Sequence, residues 1–115
     1  MSVVEQVTTW VDVAALDDLV LDRGACALVE PYQVALFRVA PDGALYALSN
    51  FDPFSGAYVL SRGLVGSTGD TPKVTSPVYK QAFDLRTGRC LDDPAVEVMA
   101  FPVNVVDGRV VVGLP

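Results

Sequence analysis

The spacing of turn signals constrains the fold of this chain more than any other feature of its sequence. Short apolar runs are interrupted by proline, glycine or aspartate about every 8–12 residues, a spacing typical of all-β sandwiches and barrels. No stretch of about ten residues shows the apolar spacing of an amphipathic helix. The pairs Asp42-Gly43 and Asp107-Gly108 lie between β-type runs and predict hairpins, because glycine tolerates positive φ. The sequence therefore predicts an all-β, antiparallel sandwich or barrel.

The sequence predicts seven strands, with irregular features at Pro102, at residues 67–72 and at residues 1–7. Strands are predicted at residues 10–13, 25–29, 33–39, 44–48, 81–85, 96–106 and 109–113. Pro102 predicts a bulge or an edge position in the segment 96–106, because proline lacks the N–H that a central ladder needs. Residues 67–72 have the composition of a turn. Residues 1–7 show no periodic pattern and predict a frayed end.

Length, hydrophobicity and charge limit the class of protein. The 115 residues, 51% of them hydrophobic, predict one well-filled domain over residues 1–115. No apolar run approaches the length of a membrane span, and the amino terminus lacks the pattern of a secretory signal, so we expect a cytoplasmic protein with no membrane partner. A net charge of −6 argues against a nucleic-acid partner, whose phosphates require a basic surface.

The absence of histidine restricts the chemistry further. It removes the Ser-His-Asp and Cys-His catalytic arrangements and the commonest metal ligand. The two cysteines, Cys26 and Cys90, are far apart and belong to no metal-binding spacing. We expect both to be buried thiols in a reducing compartment, with a disulfide as the alternative.

Two polar loops interrupt the β-type pattern. The first covers residues 49–56 and contains Pro53, and the second covers residues 76–83 and contains Pro77. Each is polar where a strand would be apolar, and further strands follow the second loop. The two loops are therefore predicted to form the halves of one pocket.

The pattern of both loops resembles the cluster-binding loops of Rieske-type ferredoxins. Residues 50–57 (Asn-Phe-Asp-Pro-Phe-Ser-Gly-Ala) match a loop that reads Asn-x-Cys-Pro-His-x-Gly-Ala in that family. Ser-Pro-Val-Tyr at residues 76–79, followed by Phe83 and the turn Thr87-Gly88, matches the second loop. The resemblance covers roughly residues 10–113. It implies a Rieske-like antiparallel β fold with a smaller two-loop, cluster-binding-like subdomain over residues 49–85.

The positions that bind the cluster in that family carry other residues here. Where the family carries Cys, His, Cys and His, this chain carries Asp52, Phe54, Ser76 and Tyr79. A Rieske [2Fe–2S] centre needs two thiolates and two imidazoles, so we expect no cluster, no other cofactor or metal, and no catalytic residue. Asp52 and Ser76 are expected to hydrogen-bond each other or loop amides, while Phe54 and Tyr79 supply apolar volume.

A narrower resemblance concerns the same loops and the stretch that follows them. The sequences at 52–56, at 76–81 and at 85–94 are similar to those of small subunits of NADH-dependent assimilatory nitrite reductases. This resemblance implies a large catalytic chain as partner, which carries FAD, an iron–sulfur cluster and siroheme and reduces nitrite to ammonium in nitrate assimilation. The present chain would then be a non-catalytic accessory subunit.

The loop tips are the predicted docking surface for that large chain. Ferredoxins of this shape meet their partners at the cluster end, so the candidates are Phe54, Tyr58, Tyr79 and Lys80. In the alternative interpretation, Phe54 and Tyr79 fill the former cluster cavity. Two other functions stay open: a stand-alone binding module with a refilled pocket formed by Asp52, Ser76 and Tyr79, and a ferredoxin-like component of an oxygenase.

Overall fold

The structure is a computed structural model that describes residues 3–115, and within these residues it consists of short strands and two single turns of 3-10 helix, Leu16–Asp18 and Leu60–Arg62. In chain order the strands are β1 (Thr9–Ala15), β2 (Gly24–Val29), β3 (Tyr32–Val39), β4 (Ala44–Ser49), β5 (Phe51–Asp52), β6 (Ala57–Tyr58), β7 (Leu64–Thr68), β8 (Thr71–Thr75), β9 (Ala82–Asp84), β10 (Ala100–Phe101), β11 (Val103–Val106) and β12 (Arg109–Leu114). Neighbouring strands pair antiparallel. The predicted all-β fold is confirmed.

The strands assemble into three larger sheets and one two-stranded ribbon. The central sheet has the order β10-β4-β3-β2, and a second sheet has the order β1-β12-β11. A third sheet, β7-β8-β9, follows the first loop, and β5 and β6 form the ribbon within that loop.

Strand β3 buries both of its faces and so connects two cores. Phe37 packs in one core with Phe83 of β9, in the third sheet. Leu36 points to the opposite side and packs in the other core with Val112 of β12. All four side chains are almost fully buried, and each contributes about 1.5–3 kcal/mol of hydrophobic stabilisation. The core around Phe37 and Phe83 fixes the two-loop region onto the body of the molecule.

The last long apolar segment differs from its prediction. It is not one bulged strand, because β10 pairs with β4 in the central sheet and β11 pairs with β12 in the second sheet. Pro102 lies between them, and its carbonyl oxygen accepts a hydrogen bond of 2.8 Å from the Gly113 N–H. Proline, which lacks an N–H, therefore stands where the chain leaves one ladder and enters the other.

Of two turn predictions, the one at Asp107-Gly108 is confirmed and the one at residues 67–72 is wrong. Asp107-Gly108 closes the β11–β12 hairpin, with φ of 51° and 75° respectively, as the sequence predicted. Residues 67–72, in contrast, are not a continuous turn, since Ser67 and Pro72 are paired within β7 and β8. The turn is confined to Gly69-Asp70, where Gly69 has a φ of 59°.

The amino-terminal segment is attached to the central sheet from Val3 onward. Val3 forms a parallel bridge with Ala100, the Val4 N–H donates to the Ala100 oxygen at 2.9 Å, and Val4 is buried. The expectation of a frayed end is therefore wrong for Val3 and Val4, because a hydrogen bond and apolar burial hold them. The first two residues lie outside the described part of the chain.

The two cysteines lie in different environments. Cys90 is fully buried in the core around Phe83, but Cys26 is exposed on β2, so the expectation of two buried thiols is wrong for Cys26. Both are free thiols rather than a disulfide. Cys26 lies on an edge strand of the central sheet, where one face is open to solvent. None of the helical turns in residues 3–115 is long and apolar enough to cross a membrane.

Candidate functional site

The two predicted loops meet through a buried hydrogen bond between Asp52 and Ser76. The ribbon β5–β6 overlaps the first loop (residues 49–56), and the second loop (residues 76–83) runs from the end of β8 into β9. The Ser76 hydroxyl donates to Asp52 Oδ2 at 2.6 Å. Asp52 is 0% exposed and Ser76 is 1% exposed. The expected contact between these two side chains is confirmed.

Asp52 also organises its own loop. Its Oδ1 accepts a hydrogen bond of 2.9 Å from the Phe54 N–H, and its Oδ2 accepts one of 3.0 Å from the Ser55 hydroxyl. The Asp52 carbonyl oxygen accepts a bond of 2.8 Å from the N–H of Gly56. Every acceptor that this residue buries is therefore satisfied from within the two loops, as buried polar groups require.

These hydrogen bonds keep Asp52 ionised although it is buried. Burial alone would raise the pKa of Asp52, but the hydrogen bonds from Ser76, from the Phe54 amide and from Ser55 outweigh it and hold the pKa below its ordinary value. The loop junction is thus a carboxylate that accepts charge-assisted hydrogen bonds, which are stronger than those between neutral groups.

The second loop is a tight turn closed at its base and open at its tip. The Ser76 N–H donates to the Gln81 carbonyl at 2.8 Å, and the Val78 N–H donates to the Ser76 hydroxyl at 3.3 Å. Lys80 has a φ of 67°, in the left-handed region that favours glycine. Residues 77–80 are all exposed.

The two aromatic side chains that stand where the ferredoxin loops carry histidine have different environments. Phe54 is half-buried against the core, with its ring centroid 6.2 Å from that of Phe83. Tyr79 is 62% exposed. Phe54 therefore supplies apolar volume as expected, but the expectation that Tyr79 also fills a cavity is wrong, because the tip of its loop turns outward.

Asn50 connects the first loop to the body of the protein. It is 2% exposed, its Oδ1 accepts a bond of 2.7 Å from the Ser61 N–H, and its Nδ2 donates to the Tyr58 oxygen at 3.2 Å. Its own N–H donates to the Gln33 carbonyl of β3 at 2.9 Å. From the sequence we assigned Asn50 no role of its own. The signal for it was its match to the first Asn of the ferredoxin loop motif.

The four residues that stand where the ferredoxin loops carry cluster ligands do not fit a Rieske [2Fe–2S] centre. Phe54 has no lone pair to donate, and Tyr79 points to solvent. Both side-chain oxygens of Asp52 are already engaged by loop donors. A soft iron–sulfur cluster requires thiolate and imidazole ligands, and this set offers neither. Within residues 3–115 no group of three or more His, Cys, Asp or Glu side chains is arranged to hold a metal ion.

A small cleft lies beside the second loop. It has a volume of about 260 Å³ and is lined by residues that include Ser76, Arg62, Leu64 and Lys80. The charged groups that line it, Arg62 and Lys80, are cations, so the cleft does not suit a metal cation. Asp52 does not line it, because its carboxylate is buried between the loops.

The exposed Cys26 lies near the first loop without the features of a reactive thiol. The Asn50 Nδ2 lies 3.5 Å from its sulfur. Partial burial raises the pKa of the Cys26 thiol, so it stays protonated at neutral pH. The structure therefore assigns it no catalytic role.

Comparisons with known proteins agree with this geometry. The family model described as the Rieske-like [2Fe-2S] domain matches residues 9–113. The nitrite reductase (NADH) small subunit of Escherichia coli (strain K12) is 40% identical over 101 residues, which cover 88% of this chain and 94% of that protein. The nitrite reductase (NAD(P)H) large subunit of Klebsiella oxytoca is 44% identical over 104 residues, which cover 90% of this chain but only 11% of that protein.

A solved structure extends the likeness to three dimensions. It is a crystal structure described as an NADH-dependent nitrite reductase small subunit from Mycobacterium tuberculosis. It matches with a TM-score of 0.88 and 47% sequence identity, covering 93% of this chain and 96% of that chain. The chain therefore belongs to the Rieske-like [2Fe-2S] domain family and, within that family, to the small subunits of NADH-dependent nitrite reductases.

Proposed function

We propose that this chain is a non-catalytic subunit that docks on the large catalytic chain of an NADH-dependent nitrite reductase and holds no iron–sulfur cluster of its own. The observation that carries the proposal is the match within the Klebsiella oxytoca large subunit, where a segment similar to 90% of this chain is part of a much longer protein. A domain that is covalently joined in one relative is expected to associate with the corresponding chain when it is separate.

The loop junction supports the absence of a cluster. In the ferredoxins that the loops resemble, two thiolates and two imidazoles on the cluster tie the loops together. Here the Ser76 hydroxyl and the Asp52 carboxylate, 2.6 Å apart, link the same two positions directly. The proposed role is therefore structural, with NADH oxidation and the reduction of nitrite to ammonium carried out by the partner with its FAD, iron–sulfur and siroheme groups. The cytoplasmic location stays a prediction.

The exposed groups at the loop tips support a docking role for this end. Tyr58 is 55% exposed and Tyr79 is 62% exposed, and Lys80 is exposed beside Tyr79. Exposed aromatic side chains are frequent anchors of protein interfaces. Of the four docking candidates, Phe54 supports the first loop from the inside, because its ring packs on Phe83.

Co-expression with the large subunit tests the proposal. We expect the two chains to purify together, and we expect Tyr79→Ala and Lys80→Glu to weaken that association without changing the melting temperature by more than a few degrees. Trp10→Ala is the matched control, since Trp10 is an exposed aromatic residue on β1, outside the two loops. NADH-dependent nitrite reduction, measured with and without this chain, then shows whether the subunit changes activity. Failure of the wild-type chains to associate would contradict the proposal.

A further inference from the structure

The outer edge of strand β7 is an unpaired strand edge next to the second loop. The third sheet has the order β7-β8-β9, so among residues 3–115 β7 pairs on one side only. The opposite edge of the same sheet is covered, because Phe83 bridges to Cys90 and the Leu91 N–H donates to the Ala82 oxygen at 2.8 Å. The sheet thus protects one edge and leaves the other open.

The register of β7 and β8 shows which backbone groups face the open side. Pro72 is paired with Ser67, has no N–H, and directs its carbonyl oxygen to the Leu85 N–H on the β9 side at 2.9 Å. Polar groups alternate in direction along an antiparallel ladder. The N–H and C=O groups of Ser67 and of Val65 therefore point away from β8. None of them has a hydrogen-bond partner within residues 3–115.

This edge forms one wall of a groove. The groove has a volume of about 410 Å³, which lies in the range of about 300–1,000 Å³ that is usual for ligand sites. Val65, Gly66 and Ser67 line one side, and the β3–β4 hairpin lines the other. The free backbone groups are therefore accessible beside an open space.

Strand β7 also lacks the features that usually protect an edge. Natural edge strands carry charged side chains, proline or a bulge, which discourage pairing with another chain. The sequence of β7, Leu-Val-Gly-Ser-Thr, has no charge and no proline, and its register with β8 is regular over five pairs. Leu64, at its start, is 78% exposed.

The charges around the groove select the kind of segment that fits. Asp22, Asp42 and Asp70 line the groove, and no lysine or arginine does. A second copy of this chain, with a net charge of −6 and the same acidic rim, would meet like charge there. A segment that carries lysine or arginine has the complementary charge.

We propose that β7 receives an extended, lysine- or arginine-bearing segment of the large nitrite reductase chain as an added strand. This inference rests on the proposed function and names one part of its interface. Addition of a strand to an open edge is a common mode of peptide recognition, in which backbone hydrogen bonds supply affinity and side chains supply specificity. Leu64 also lines the cleft beside Lys80, so the added strand continues the docking surface of the loop tips.

Amide hydrogen exchange, resolved to single residues, tests the added strand in the co-expressed complex. We expect the amides of Val65 and Ser67 to exchange about tenfold or more slowly in the complex than in the free chain. The amides of Gly66 and Thr68, which face β8, are the internal reference and change less. Unchanged exchange at Val65 and Ser67 in an intact complex overturns the added strand and leaves the proposed function standing. If no complex forms, both fail.

A backbone variant provides the second test. Ser67→Pro removes an outward N–H at a position that makes no ladder bond to β8, and its matched control Ser67→Ala keeps the N–H. We expect Ser67→Pro, and not Ser67→Ala, to weaken binding to the large chain about fivefold or more. Equal affinity of the two variants overturns the inference. Should Ser67→Pro fail to fold, exchange in the wild-type complex decides. A dimer of the free chain that protects Val65 and Ser67 would contradict the assigned occupant.

Discussion

The two loops share a hydrogen-bonded junction but differ in how firmly the rest of the protein holds them. The first loop is anchored by Asn50, Asp52 and Phe54, which contact β3, the second loop and the core respectively. The second loop is held at Ser76, and its residues 77–80 are exposed. One loop is thus part of the scaffold, and the other presents side chains to the outside. Substitutions in the first loop should mainly reduce stability, whereas substitutions at the tip of the second should mainly reduce docking.

The largest effect is expected for Asp52→Ala. The change leaves the Phe54 amide and the hydroxyls of Ser55 and Ser76 without their acceptor, so we expect the free energy of unfolding to fall by about 3 kcal/mol. Chemical denaturation measures it. Asp42→Ala is the control, because Asp42 is exposed and its carboxylate accepts a single bond from the described residues, of 3.3 Å, from the Ala44 N–H. Equal losses of unfolding free energy in the two variants would contradict a stabilising role of the Asp52–Ser76 junction.

Asn50→Ala should lower the free energy of unfolding somewhat less than Asp52→Ala does. It removes the buried acceptor of the Ser61 N–H and the donor to the Tyr58 oxygen, so we expect a loss of about 2 kcal/mol in the same measurement. Asn104→Ala is the control, since Asn104 is exposed and its side chain, within residues 3–115, accepts a bond from the Val105 N–H alone. A loss below that of the control would mean that the first loop is not anchored through Asn50.

The pH dependence of stability should reveal the ionised junction. The pKa of Asp52 is lower in the folded protein than its ordinary value of 3.8. The unfolded state therefore binds this proton more readily, so the stabilisation is present above that value and is lost as the pH falls through the folded pKa. We expect the melting temperature to fall between about pH 5 and pH 2. The fall should be shallower in Asp52→Asn, and identical profiles would contradict an ionised Asp52.

Lys80→Gly should stabilise the second loop slightly. Lys80 has a φ of 67°, which is unfavourable for any residue with a Cβ, and glycine relieves it. Glycine also has a larger conformational entropy in the unfolded chain, which offsets part of this relief. We therefore expect the free energy of unfolding to rise by about 0.5 kcal/mol and docking to weaken. Asp107→Gly is the control, because Asp107 has a φ of 51° in the β11–β12 hairpin. A loss of docking in the control as well would remove the distinction between the two sites.

Tyr79→Ala should have the smallest effect on stability. Tyr79 is 62% exposed, so we expect a change within about 0.5 kcal/mol, which is usual for surface positions. In Phe54→Ala, by contrast, the ring that packs on Phe83 is lost, and we expect a clear destabilisation. Similar melting temperatures for the two variants would contradict the difference between the loops.

Several parts of this structure were predictable from local sequence. The Asp107-Gly108 hairpin follows from turn chemistry, and the Asp52–Ser76 contact follows from the resemblance of both loops to a pair that converges on one site. The β7–β8 hairpin was not predicted, because residues 67–72 have turn composition and the strand character of this segment comes from the pairing of β8 with β7 and with β9. Pro72 fits there because it occupies a non-hydrogen-bonded pair. Neither the exposure of Tyr79 nor the positive φ of Lys80 is specified by a local sequence pattern.

Iron content tests the central claim most directly. We propose that the Asp52–Ser76 hydrogen bond takes the place of a cluster between the loops. The chain purified alone under anaerobic conditions should therefore contain no iron above background and show no visible absorption of a [2Fe–2S] centre. Stoichiometric iron together with that absorption would contradict the account.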